Sequence, residues 1–331
     1  MPPPLSRTVL VTTPLFAAFV AILLSDLVPL LGPLMLALAL GAVVANAPAL
    51  SEATTHALAD VSRTCLRLGI VVLGLRLSVS DLLSVGWGAA LVVIATVAVT
   101  YAATCRLGDA LGLDRGLVTL IAAGFSVCGA AAIAAVQDGV RTRQRNVALA
   151  VALVTVYGTA MIVLLPPAAR LLGLSTEQAA VWAGASIHEV AQVVATGSLI
   201  GGTLAVALAT TVKLGRVVTL AGVYVVAARR DAADGAGEAG PSKAPLVPWF
   251  VTGFVLAVLL RSTGVLGESI LDVGDHLATL LLGAGMFGLG LGLRLRELWP
   301  VPARALVLAT ASTLVAATTS LVLVVTTSLV A

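Results

Sequence analysis

Gly184-Ala185-Ser186-Ile187-His188-Glu189 lies inside an apolar run from 178 to 200 and sets a histidine and a carboxylate among apolar neighbours. A second stretch, Gly124-Phe125-Ser126-Val127-Cys128-Gly129, matches it at the glycine, the serine and the following branched residue, inside a run from 116 to 137. Each is followed by an apolar helix that contains Ala-Val-Ala-Leu, at 150 to 153 and again at 205 to 208. Gly124 and Gly129 bracket Ser126 and Cys128, so the helix can open there and leave backbone N–H groups free to face a ligand. At membrane depth such groups are tolerated only against protein or a cavity. Two opened helices in a membrane chain therefore point to a built site.

The composition places the chain in a bilayer. Of its 331 residues 59% are hydrophobic and only 11% charged, and the mean hydropathy is +1.09. Eleven apolar runs fall near 9–25, 28–46, 64–79, 86–104, 116–137, 146–165, 178–200, 203–227, 247–264, 277–293 and 303–330. Runs of this length cross roughly 30 Å of hydrocarbon. The expected fold is an all-α integral membrane protein of about 9 to 11 transmembrane helices, with interrupted or re-entrant segments at 116–137 and 178–200. Residues 1–331 read as a single polytopic transport domain, and the first run as a retained helix rather than a cleaved leader. Ser51 to Arg63, with Glu52, His56 and Asp60, reads as a short interfacial helix, and Arg229 to Pro245 as a flexible polar loop. Cys65, Cys105 and Cys128 have no metal-binding spacing, and no cofactor motif occurs.

Basic residues fix the orientation, because short cytoplasmic loops are enriched in Lys and Arg. With Arg7 inside, Arg63, Arg67, Arg106 and Arg115 also fall inside, but simple crossing by 116–137 would export the loop carrying Arg141, Arg143 and Arg145. Entry and return of 116–137 on the cytoplasmic side removes the conflict. The same behaviour of 178–200 on the outer side keeps Arg229, Arg230, Arg294, Arg296 and Arg304 inside and leaves an acidic loop with Glu268, Asp272 and Asp275 outside. Gly74-Leu75-Arg76-Leu77 and Gly292-Leu293-Arg294-Leu295 form another matched pair. In this topology all paired elements run in opposite directions, as in inverted repeats that bind substrate at interrupted helices near the midplane.

The chemistry gathers on few residues. Lys213 stands in the middle of the apolar run from Thr203 to Val225, where an ionisable group marks a functional site by default. Arg216, three residues on, shares its helix face, and Glu189 shares one with Gln192. Pairing of Glu189 with Lys213 or Arg216 is the economical arrangement for charges in low dielectric. Helix N-termini at the two breaks supply donors and partial positive charge for an oxyanion. The candidate substrate-binding set is Ser126, Cys128, Gly129, Ser186, His188, Gln192, Lys213 and Arg216, with His188 and Glu189 as proton carriers. Arg76, Arg261 and Arg294 sit at helix ends and read as snorkelling residues. Two other readings stand beside the anion transporter. A cation/proton antiporter would want a second carboxylate beside Glu189, and an intramembrane serine hydrolase using Ser126 and His188 lacks the Gly-x-Ser-x-Gly elbow.

At Arg67–Leu77, Gly124–Ile133, Gly184–Ala195 and Lys213-Leu214-Gly215-Arg216 the chain resembles the YeiH-type family of bacterial inner-membrane proteins, labelled sulfate exporters. The Ser-x-His-Glu-x-x-Gln segment carries most of that resemblance, which extends over most of the chain. It implies an inner-membrane location and an architecture akin to bile-acid and sodium/proton antiporters. The expected partners are a small anion, protons or sodium as coupling ion, and the lipid bilayer; a homodimer is left open, and the charge of +3 gives no reason to invoke nucleic acid.

Overall fold

The computed structural model describes residues 7–27, 32–47, 52–80, 86–234, 249–293 and 300–327. All regular structure among them is helical, and the chain packs as two compact units, residues 1–78 with 249–300 and residues 79–248 with 301–331. Six described stretches are long and apolar enough to cross a membrane, and three shorter helices are also apolar.

The first unit holds α1 (Arg7–Leu27), α2 (Pro33–Asn46) and α3 (Glu52–Leu73), with a 3-10 turn at Gly74–Arg76. The polar piece expected to form its own interfacial helix instead runs unbroken into α3, because nothing between Glu52 and Leu73 breaks a helix. In the second unit come α4 (Gly86–Ala110), α5 (Arg115–Ser126), α6 (Ala130–Val136), α7 (Gln144–Leu171), α8 (Thr176–Ser186), α9 (Val190–Val218) and α10 (Leu220–Asp234). The first unit resumes with α11 (Trp249–Ser262) and α12 (Glu268–Leu291), and α13 (Ala303–Thr326) returns to the second.

Two sequence expectations shift. Arg229 to Asp234 continue α10 rather than open a loop, and 235–245 lie outside the described residues, as do Arg294 and Arg296. Glu268, Asp272 and Asp275 form the first two turns of α12, where acidic side chains complement the helix dipole. Arg76 pairs with Asp275 and donates to Thr279 Oγ1 at 2.6 Å. Within this unit α12 meets α2 and α3 at small residues. A Cβ on Gly290 would lie 2.2 Å from Leu38 O, and one on Gly288 would lie 2.1 Å from Ser62 Cβ. Contact this close suits membrane helices, which associate by packing rather than by the hydrophobic effect.

The second unit contains two helical hairpins. Asp114 caps α5 by accepting from Leu117 N at 3.0 Å, and the same Oδ1 accepts from Asn146 in the first turn of α7 at 2.8 Å. The chain leaving α6 also returns to the start of α5, since a Cβ on Gly116 would lie 2.8 Å from Arg141 O. The second hairpin starts from the other end of α7. Ser175 and Gln178 form a capping box on α8. The first arm of α9, residues 190–200, comes back beside that start, with a Cβ on Gly201 placed 2.3 Å from Thr176 Cγ2. Arg170 at the end of α7 reaches Leu199 O at 3.5 Å.

Gly201 and Gly202 then reverse the chain, and Gly202 holds φ +68, a backbone conformation that suits only glycine. The second arm of α9, residues 203–218, climbs beside the first, as a Cβ on Gly197 would meet Val206 Cα at 2.9 Å. The apolar stretch Val190–Asp231 is therefore not one rod. The two hairpins enter from opposite ends of α7, and their tips lie at residues 126–129 and 186–189.

Basic residues mark one of those ends. Arg106, Arg115, Arg141, Arg143, Arg145, Arg229, Arg230 and Arg304 surround the base of the first hairpin, whereas Arg170 lies by the base of the second. Contacts tie the basic end together: Arg230 holds Asp109 at 2.5 and 2.7 Å, Arg141 lies 3.8 Å from Asp231, and Arg304 donates to Leu111 O at 3.1 Å.

Candidate functional site

An α-helix leaves its last carbonyls without intrahelical donors. At the end of α5, Ala123 O accepts from Val127 N and Gly124 O from Gly129 N, both at 3.0 Å. The carbonyls of Phe125, Ser126 and Val127 face the second arm of α9, and so do those of Ala185 and Ile187 at the end of α8. There Lys213 Nζ donates to Val127 O at 2.8 Å and to Ile187 O at 2.7 Å. Arg216 Nε donates to Ser126 O at 3.0 Å, Nη1 to Ala185 O and Ile187 O at 2.8 and 2.9 Å, and Nη2 to Phe125 O and Ser126 O at 2.9 and 2.7 Å. A guanidinium has five N–H donors, and these bonds use them all. Both cations are fully buried, and each ties the two hairpin tips together.

The pairing expected between Glu189 and these cations is thus replaced by backbone acceptors. The physical reason is the helix dipole, whose C-terminal end is partly negative, so two converging C-termini attract cations without any carboxylate. No ion pair joins Glu189 to Lys213 or Arg216 among the described residues, although Glu189 lies within the electrostatic reach of Lys213.

Glu189 faces the opposite kind of helix end. It caps α9: its side chain accepts from Gln192 N, and its own N–H donates to Gln192 Oε1 at 3.0 Å. The carboxylate also lies beside the N–H of Ala130 at the start of α6, while Cys128 lies beside that of Ala132. Where an outside oxyanion was expected, the protein places its own carboxylate. Gly129 makes this possible: it holds φ +76, and a Cβ there would sit 2.6 Å from Glu189 Cγ.

All the sequence-predicted residues meet at the tips, and Ser126, Cys128, Ser186, His188, Glu189, Gln192, Lys213 and Arg216 are all buried. Ser126 Oγ and Ser186 Oγ donate back to Ala123 O at 3.4 Å and Trp182 O at 2.7 Å. Among the described residues neither serine bonds His188. His188 Nε2 shares a hydrogen bond with Thr313 Oγ1 at 3.2 Å, and its ring lies 4.5 Å from that of Phe125. Among the described residues His188 Nδ1 and Glu189 Oε1 are buried and find no hydrogen-bond partner. Sequence reading missed Thr313, Phe125 and Gly158. Gly158 admits Gln192, since a Cβ there would lie 2.0 Å from Gln192 Oε1, and Gln192 Nε2 donates to Thr155 O at 3.3 Å. A lone glycine inside the apolar α7 was the available signal for that contact.

Two interrupted hairpins pinned tip to tip by buried cations, in a chain rich in helices able to span a bilayer, define a multi-pass helical membrane protein. The chain belongs to the family described as conserved hypothetical protein 698, which it matches over residues 9–309. It is 40% identical to a UPF0324 membrane protein of Corynebacterium glutamicum over 90% of this chain and 86% of that one. It is 38% identical to a UPF0324 membrane protein of Pseudomonas aeruginosa, over 83% of this chain and 81% of the relative. The UPF0324 inner membrane protein YeiH of Escherichia coli is 33% identical over 83% of this chain and 80% of its own. No solved structure matches. The protein is a multi-pass protein of the inner membrane.

Proposed function

We propose that the protein is a secondary transporter of a small inorganic or organic anion, coupled to protons through Glu189 and His188. The family resemblance points to sulfate as substrate and export as direction. The observation that carries the reading is the charge balance at the tips. Lys213 and Arg216 bring two positive charges against two helix C-termini worth about half a negative charge each. Glu189 brings one negative charge against two N-termini worth about half a positive charge each. About one positive charge remains in a buried site, and protonation of Glu189 raises it to about two. Such a site favours an anion over a cation, and favours it more once Glu189 is protonated. Lys213 keeps one N–H beyond the two it spends, and Cys128, His188 and Glu189 lie within its electrostatic reach. Arg216, with all its donors used, holds the tips.

The finer architecture in this reading is nine crossings and two re-entrant hairpins in two inverted repeats. The opposite entry of the hairpins along α7 and the basic residues at one base support it. The decisive experiment is flux into proteoliposomes across a panel of small anions, with sulfate among them and a proton gradient imposed. Saturable anion flux is expected; absence of flux for every anion, with cation/proton exchange in its place, would favour the antiporter. Topology has its own test in a Cys-less background. A cysteine at Thr142 should react with an impermeant thiol reagent only from the cytoplasm, and one at Leu174 only from the outside. Labelling of both from the same side would remove the inverted arrangement.

A further inference from the structure

Carbonyls at interrupted helix C-termini are the groups with which membrane transporters hold a dissociable sodium ion. In the second unit five such carbonyls, from Phe125, Ser126, Val127, Ala185 and Ile187, converge from the two tips. Their partners are nitrogen atoms covalently tied to α9. Val127 O and Ile187 O, which meet at the Lys213 ammonium at 2.8 and 2.7 Å, have the donor chemistry of an alkali-cation site. Lys213 is fully buried there, so its charge is not shared with solvent.

We infer that Lys213 is a tethered replacement for a coupling sodium ion, so that the protein works without sodium and its carbonyl cage takes an alkali cation or a small alkylammonium once the Lys213 side chain is removed. The inference rests on the transport reading and narrows the coupling ion to the proton. The geometry explains why the replacement persists. A free cation must bind and leave for the tips to part, whereas a tethered one keeps the two C-termini neutralised throughout and can never be lost to the solution. Arg216 occupies the neighbouring carbonyls and shares Ile187 O with Lys213, so the vacated space is bounded by a fixed positive charge. Among the described residues Glu189, Cys128 and His188 are the other ionisable groups close enough to interact with Lys213, and Glu189 is the carboxylate that would balance an incoming cation.

The test reads thermal unfolding of purified full-length protein in sodium, potassium, lithium, ethylammonium or N-methylglucamine chloride at matched ionic strength. Wild type should unfold at one temperature in all five. Lys213→Ala should unfold lower in N-methylglucamine and recover saturably with one of the small cations, by on the order of 5 °C at a hundredfold excess over its dissociation constant. Lys213→Gln, which fills the space with a neutral donor, should show no such recovery. The inference is overturned if wild-type stability climbs saturably with sodium, if Lys213→Ala is indifferent to the cation, or if Lys213→Ala cannot be recovered folded with any of them. This readout contains no transported anion. Failure of wild-type anion flux would therefore defeat the transport reading and leave the cation result standing.

Discussion

The two hairpin tips share a backbone and differ in chemistry. Each closes a helix on a serine, opens for three residues and restarts, at Val127–Gly129 in the first and Ile187–Glu189 in the second. Each offers its terminal carbonyls to Lys213 and Arg216. The first restarts through a glycine at φ +76, with no side chain to cap α6 from that position. The second restarts through Glu189 at φ −117, an ordinary extended conformation, with a complete capping box. One hairpin supplies bare helix ends and the other supplies the group that fills them. The site is therefore asymmetric by construction, and the proposed proton switch sits in one half beside the bare helix ends of the other.

The largest effect should come from removing what the tips have in common. Arg216→Gln leaves the carbonyls of Phe125, Ser126 and Ala185 buried without donors, at about 1–3 kcal/mol each. A sum of about 3–9 kcal/mol rivals the whole stability of a typical domain, about 5–15 kcal/mol. Loss of monodisperse protein after detergent extraction is expected. Arg216→Lys should recover only part of it, because an ammonium has at most three donors and lacks the planar fork. Near-normal unfolding temperatures in Arg216→Gln would mean that the tips are held by something other than this clamp.

A smaller effect should separate the tips. Gly129→Ala imposes a side chain on a glycine-only conformation, about 1–3 kcal/mol of strain, and drives a Cβ to 2.6 Å from Glu189 Cγ. Glu189→Ala, at the matching position, loses a cap worth about 1 kcal/mol but strains nothing. Thermal unfolding should therefore rank Gly129→Ala below Glu189→Ala. The reverse order would show that the backbone of the first tip is adaptable.

Much of this arrangement was legible in the chain. The glycine and serine matches located both breaks, the Gly201–Gly202 pair separated the runs at 178–200 and 203–227, and the arginines at 141–145 argued for a hairpin that returns. A charge in an apolar run exposed Lys213. What the residues could not reveal was the partner of that charge, because a backbone carbonyl belongs to every residue and leaves no mark in the sequence. Carboxylates do leave a mark, so Glu189 drew the expected pairing although geometry gave both cations to the chain itself. Thr313 was hidden for a related reason: small hydroxyl residues are common in membrane helices, and only its approach to His188 distinguishes it from Ser312 beside it. The polarity of Glu52 to Arg63 suggested a separate helix, yet polarity sets where a helix meets water and not where it ends.

The smallest structural effect, and the sharpest functional one, is expected of Glu189→Gln. The amide keeps the size of the carboxylate and an oxygen able to accept from Gln192 N, so the capping box survives. Its NH₂ group adds donors where the carboxylate had none. Unfolding temperature should change little, by no more than a lost charge-assisted cap would cost, about 0.3–1 kcal/mol. The charge balance changes fully, however, because the site is held in the charge state of a protonated Glu189. Wild-type anion binding should strengthen as pH falls, since the carboxylate and the anion compete for the same helix N-termini and protonation removes the competitor. In Glu189→Gln that competition is absent at every pH, so binding should be strong and flat, and proton-driven net uptake should vanish while anion exchange persists. Isothermal titration across pH and paired uptake and exchange assays in proteoliposomes measure both. If the variant keeps the wild-type pH profile, Glu189 is a cap and nothing more, and His188, buried with an unpartnered Nδ1 beside it, becomes the remaining proton carrier at the second tip.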